Sequence, residues 1–210
     1  MTPTRGKPAV GIVDYQAGNI QSIENALLHL GARTIRVRAA SDIGGCSHLL
    51  LPGVGAFRFC AEQLRGSGLL ESVQHWALVE RKPLLGICVG MQLLAESSEE
   101  HGLQRGLNWV GGQVVQLPAS FAGVRVPHVG WNTVEFHDGF GEFARGATAD
   151  FYFDHSYAYR APADSPVLAT CLHGVEFGAV VRRDNITAAQ FHPEKSQGAG
   201  MRFLRSFLAA

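Results

Sequence analysis

Apolar residues in the first half of the chain recur in two alternating rhythms. Ala9 to Asp14 is a short apolar run rich in β-branched residues and predicts a first strand. Asn19 then stands where a helix cap is expected. Ile20, Ile23, Leu27 and Leu30 follow at helical spacing, and Gly31 can end the helix. Thr34 to Val37 predicts a second strand, and His48 to Leu51 a third that breaks at Pro52-Gly53. Leu69 to Glu80 predicts a helix, Leu84 to Ile87 a buried strand, and Val89 to Glu96 a further helix. Strand and helix alternating in this way predict a parallel sheet covered on both faces.

The second half changes rhythm. Gly112 to Leu117, Asn132 to Phe136, Phe151 to Phe153, Val167 to Cys171, Phe177 to Arg182 and Ile186 to Phe191 all predict strands. Gly, Pro, Asp and Asn turns join them, and a helix returns only at Gly198 to Leu208. The expected fold class is α/β: one domain with a mixed, mostly parallel central sheet, antiparallel additions and flanking helices. Residues 1–8 are expected to be a flexible N-terminus and residues 9–210 the domain. A chain of 210 residues with 46% hydrophobic and 17% charged residues suits one folded domain with a substantial core.

Charge narrows the function classes. Lys plus Arg and Asp plus Glu number 18 each, so there is no basic footprint for a nucleic acid. Met1 to Pro8 is short and polar, and no apolar segment of signal-peptide length follows it. The uncharged stretch Pro83 to Ala95 is too short to span a bilayer, which takes ~20 residues. A cytoplasmic protein is expected. Cys46, Cys60, Cys88 and Cys171 form no CxxC pair, so neither a zinc site nor a thioredoxin-like site is indicated, and each is expected to be a reduced thiol. No metal or cofactor is expected.

One cysteine stands apart. Leu84-Leu85-Gly86-Ile87-Cys88-Val89-Gly90-Met91-Gln92 has the form of an apolar strand, Gly-x-Cys-x-Gly, and a helix. This is the pattern of a nucleophile elbow with Cys replacing Ser. Gly86 and Gly90 leave room for the strained turn, and the thiol projects beyond the strand's C-terminal end, where open α/β sheets bind ligands. The helix N-terminus favours the thiolate, and the Val89 N–H would face an oxyanion. The plainer reading, a buried structural thiol, fits the apolar run equally well.

A second motif supplies a base. In Gln190-Phe191-His192-Pro193-Glu194-Lys195-Ser196, Pro193 favours an extended His192. In extended chain, residues two apart share a side, with Cα atoms ~6.5–7 Å apart. Glu194 then reaches the imidazole, orients it and stabilises its cation, leaving the other ring nitrogen for Cys88. A solvated loop with a chance His and Glu is the alternative, among nine histidines.

Together these motifs resemble those of the class I (triad) glutamine amidotransferases. Further stretches are similar to the glutaminase subunits of imidazole glycerol phosphate synthases. They are Asp14 to Asn19, Pro52-Gly53-Val54-Gly55, Glu96-Ser97-Ser98-Glu99-Glu100, Pro127 to Asn132 and His155-Ser156-Tyr157. The resemblance runs from about Val10 to the C-terminus. It implies that Cys88 attacks the amide of glutamine, with His192 as base and then acid and Glu194 as its orienter. It implies an oxyanion hole from Val89 and the Gly53, Val54, Gly55 loop, where a peptide turns before its N–H faces the oxyanion. Gln92 and Glu96, one turn apart on a helix face, match substrate-contacting positions, as do Ser156 and Tyr157. The implied partner is a cyclase subunit. In a heterodimer it takes the ammonia to make imidazole glycerol phosphate and an aminoimidazole carboxamide ribotide in histidine biosynthesis.

Two departures stand out. Asp154 occupies a place that is usually apolar in this family, and a carboxylate there must be solvated or paired. Gln16-Ala17 differs from the commoner first-loop residues. His128 and Trp131 are expected to serve packing or a partner surface. A glutaminase of another synthase, of the anthranilate or pyridoxal phosphate type, shares the triad, and a binding subunit without catalysis is the third class.

Overall fold

The computed structural model describes residues 7–119, 124–162 and 167–209. Most of the expected flexible N-terminus therefore lies outside the described residues. Its strands and helices follow in chain order. β1 (Ala9–Val13), α1 (Ile20–His29), β2 (Arg33–Val37), β3 (His48–Leu51), α2 (Phe57–Gly66) and α3 (Leu70–Gln74) lead to β4 (Leu84–Ile87) and α4 (Val89–Leu94). The short strands β5 (Ser97–Ser98), β6 (Gln104–Arg105) and β7 (Gln113–Gln116) follow. Then come β8 (His128–Phe136), β9 (Thr148–His155), β10 (Tyr157–Arg160), β11 (Val167–His173), β12 (Val175–Arg183), β13 (Ile186–Ala189) and α5 (Gln197–Leu208).

Nine strands form one sheet in the order β2-β1-β3-β4-β13-β12-β11-β8-β9. From β2 to β13 neighbours run parallel, and from β13 to β9 they run antiparallel. β13 is therefore the seam between the two halves. Burial follows the same division. β1, β3, β4 and β13 are buried at every position, as strands covered on both faces must be, whereas β8 alternates buried and exposed residues. β10, β7, β5 and β6 make a second, four-stranded sheet.

Helix α2 is additional to the elements expected from sequence. Its buried residues Phe57, Cys60, Ala61 and Leu64 form one helical stripe. Helix α4 is shorter than expected: it ends at Leu94, and Ala95 is extended (φ −66°, ψ 169°). Carbonyls at its end are taken by a distant loop, since Leu107 N–H bonds Leu93 O, Trp109 N–H bonds Leu94 O and Asn108 N–H bonds Ala95 O. Among the described residues no helix is long and apolar enough to cross a membrane.

Candidate active site

The seam places the two chemical motifs side by side. The β4–β13 register pairs Ile87 with Ala189, so the chains leave these parallel strands together. One continues as Cys88, whose N–H bonds Ala189 O at 2.8 Å, and the other as Gln190-Phe191-His192. Cys88 sits at φ 53°, ψ −113°, a conformation L residues rarely adopt, held by strand on one side and helix on the other. A Cβ on Gly86 would lie 2.9 Å from Gly90 O, so that glycine does clear the turn. Gly90 is required for another reason: its Cβ would come within 2.0 Å of Leu51 O on the neighbouring strand β3.

His192 itself is extended (φ −98°, ψ 95°), but Pro193–Lys195 is a turn of 3₁₀ helix, not the extended unit expected. The pairing survives by another route. The turn curls Glu194 back so that its Oε1 meets His192 Nδ1 at 2.8 Å, with both side chains almost wholly buried. The second carboxylate oxygen, Oε2, is buried without a hydrogen-bond partner among the described residues. The carboxylate charge therefore leans on the imidazolium. Burial alone would lower the His192 pKa, but the hydrogen bonds to Cys88 and Glu194 overcome it and raise the pKa to about 10.

Around the thiol lies a cavity of about 250 Å³, lined in part by Val54, Gly55, Cys88, Val89, Gln92, Ser156, Tyr157 and His192. Gly53 lies behind it, where a Cβ would meet Gly90 N at 2.5 Å. The expected oxyanion donor is already engaged: Val89 N–H donates to Gly53 O at 3.3 Å. Gln92 reaches the cavity, yet its Nε2 donates to Tyr157 O (2.9 Å) and to Gln190 Oε1 (3.1 Å).

Glu96 does not stand where it was expected. Because α4 stops at Leu94, Glu96 leaves the helix face of Gln92; it is exposed and absent from the cavity wall. Glu100 lines the cavity instead, its Oε2 accepting the Phe57 N–H at 2.6 Å. Gln190 is a second residue that the sequence motifs did not single out. It is fully buried, and its Nε2 lies 3.8 Å from Cys88 Sγ. Its place two residues before His192 was the available signal. The unusual Asp154 lines the cavity with an exposed side chain, so its charge is solvated, and its carbonyl lies 4.0 Å from Cys88 Sγ. His128 is buried, whereas Trp131 is 49% exposed. Among the described residues no group of three His, Cys, Asp or Glu side chains is arranged to hold a metal ion.

Known proteins match this chain along nearly its whole length. The family model for class-I glutamine amidotransferases matches residues 11–210. Imidazole glycerol phosphate synthase subunit HisH of Rhodopirellula baltica is 44% identical over 204 residues, covering 96% of this chain and 97% of that one. The subunit of the same name from Zymomonas mobilis is 42% identical, covering 95% and 94%. The chloroplastic imidazole glycerol phosphate synthase hisHF of Arabidopsis thaliana is 42% identical over 202 residues, which make up 34% of its length. A crystal structure of a glutamine amidotransferase shares the fold with a TM-score of 0.74 at 24% identity, covering 95% of this chain and 97% of that one. The chain belongs to the class-I glutamine amidotransferases, in the branch of the HisH subunits of imidazole glycerol phosphate synthase.

Proposed function

We propose that this chain hydrolyses glutamine for an imidazole glycerol phosphate synthase in the cytoplasm, with Cys88 as nucleophile, His192 as acid–base and Glu194 as its orienter. The observation that carries the reading is the buried Glu194–His192 pair set against a cysteine in a strained elbow. Cys88 sulfur attacks the side-chain amide carbon. The imidazolium of His192 gives its proton to the departing nitrogen, which leaves as ammonia and a γ-glutamyl thioester remains. Water then adds to the thioester with His192 as base, and the C–S bond breaks to give glutamate and the free enzyme. In this reading Glu100, not Glu96, meets the α-ammonium of glutamine, and Ser156 and Tyr157 border the amino-acid end.

The ammonia acceptor is proposed to be a separate cyclase chain. Supporting this, Val129, Trp131 and Leu172 are exposed apolar residues. Trp131 packs on Tyr152 of β9, which carries Lys195 over its ring. This apolar surface continues into the cavity mouth at Asp154 and Lys195. In the Arabidopsis relative the matched region is only about a third of a longer chain.

The engaged Val89 N–H suggests that the site rests switched off. The isolated chain is expected to be a poor glutaminase that gains activity with the cyclase. The decisive variant is Cys88→Ala, assayed in the complex. Glutamine-dependent synthesis should vanish while synthesis from added ammonium salt persists. Loss of both, or retention of glutamine-dependent synthesis, would overturn the assignment.

A further inference from the structure

Three consecutive carbonyls follow β3, and each has its own donor. Pro52 O accepts from the Tyr15 hydroxyl. Gly53 O accepts from Val89 N–H at 3.3 Å. Val54 O accepts from Cys60 Sγ at 3.2 Å. The first and third donors are side chains, buried to 2% and 0% exposure. The second is the backbone N–H wanted by an oxyanion.

We propose that Tyr15 and Cys60 are positioning residues that pin the carbonyls of Pro52 and Val54, so that only the Gly53–Val54 peptide between them can turn to complete the oxyanion hole. The inference rests on the glutaminase reading above and deepens it. Turning that one peptide withdraws Gly53 O from Val89 N–H, freeing it, and swings the Val54 N–H into its place. The motion needs only rotation about the two bonds flanking the peptide. Gly53 permits it on one side, having no side chain. With both neighbouring carbonyls held, the Cα atoms at either end stay in place and the new donor arrives where the old acceptor stood. Preorganised placement of this kind is what makes an oxyanion donor effective.

Each pin is itself anchored. Cys60 sits in the first turn of α2, its N–H bonded to Ala56 O at 3.1 Å. The start of that helix is tied to Glu100 through Phe57 N–H. Burial pushes the Cys60 thiol up to about 11, so it remains an S–H donor at neutral pH. Tyr15 and Cys60 also lie within interaction range of one another, each with its single proton committed to its own carbonyl. A purely structural pair would have no reason to select two alternate carbonyls of one loop and leave the middle one to the catalytic elbow.

The test uses the complex with its cognate cyclase and three variants: Tyr15→Phe, Cys60→Ala and Cys60→Ser. Loss of a whole oxyanion donor costs about 10²–10³ in kcat, so a misplaced donor should cost about tenfold. Tyr15→Phe and Cys60→Ala are each expected to lower kcat by that factor while glutamine KM and the rate of Cys88 alkylation by iodoacetamide hold. Cys60→Ser, which restores a donor, should recover most of kcat. Wild-type kcat in Tyr15→Phe would overturn the proposal. So would a fall in kcat matched by slower alkylation, which would mean that the elbow itself had been disturbed. Tyr15→Phe removes one oxygen, so it still decides the matter if Cys60→Ala does not fold. An inactive wild-type complex would instead overturn the glutaminase reading.

Discussion

His192 and His155 line the same cavity and are almost equally buried, at 3% and 6% exposure, yet they titrate in opposite directions. Burial disfavours the cation of both. At His192 the Cys88 sulfur and the Glu194 carboxylate outweigh burial and raise the pKa to about 10. At His155 burial dominates and the pKa falls to about 3, because its partners are a backbone carbonyl and other histidines. The hydrogen bonds fix this second outcome. Tyr157 O can only accept, so His155 Nδ1 must carry the proton it donates there at 2.9 Å. His155 Nε2 then accepts from His128 Nδ1 at 3.0 Å, and His128 Nε2 accepts from Asn132 Nδ2 at 3.2 Å. Every position in that relay is filled by neutral groups, and an added proton would break it. Burial alone therefore does not decide a histidine's charge: with a neutral acceptor it prevails, and a charged acceptor at the ring nitrogen reverses it.

Removing that acceptor at His192 is the sharpest way to break the contrast. Glu194→Gln keeps the shape and removes the charge, so the imidazolium loses its support. Glutamine-dependent kcat in the complex should fall by about 10²–10⁴, the range for a positioned acid–base group, with ammonia-dependent synthesis intact. His155→Gln should cost less than Glu194→Gln. The reverse order would mean that the neutral relay, not the ion pair, drives the reaction.

A smaller effect separates two glutamates that the sequence alone confuses. Glu100→Gln should raise glutamine KM by about 10–100-fold, since a charge-assisted contact is worth about 1.5–3 kcal/mol. Glu96→Gln, on an exposed residue, should leave KM alone. Equal effects, or the opposite assignment, would return the substrate contact to Glu96.

The confusion has a physical origin. Ala95 and Glu96 are good helix formers, so periodicity carries the helix through them. What stops α4 is the capture of its last carbonyls by residues 107–109, a contact no local pattern announces. The elbow at Cys88 was legible because strand, glycines and nucleophile are consecutive. The His192–Glu194 pair was legible as an association although the backbone expected for it was wrong, since a 3₁₀ turn and an extended chain both bring the side chains together. Tyr15 and Cys60 were not, because each meets the site only through tertiary packing between distant segments. The two-residue strands β5 and β6 are likewise too short for an alternation to register.

The smallest expected effect is one of stability, and here the two histidines differ in sign. The folded pKa of His155, about 3, lies below the usual 6.5, so between these values the unfolded chain binds the extra proton. Its contribution is therefore complete above pH 6.5 and is lost as the pH falls, by about 1–2 kcal/mol between pH 6.5 and about pH 5. His128, lowered to about 4 by burial and then by His173, adds in the same direction. His192 runs the other way: its contribution is complete below pH 6.5 and is lost as pH rises towards about 10. Urea unfolding between pH 6.5 and about pH 5, above the range where most carboxylates titrate, isolates the acid limb. His155→Gln should flatten that limb, and His192→Gln should leave it standing. An acid limb that persists in His155→Gln but vanishes in His192→Gln would show that the two charges had been assigned the wrong way round.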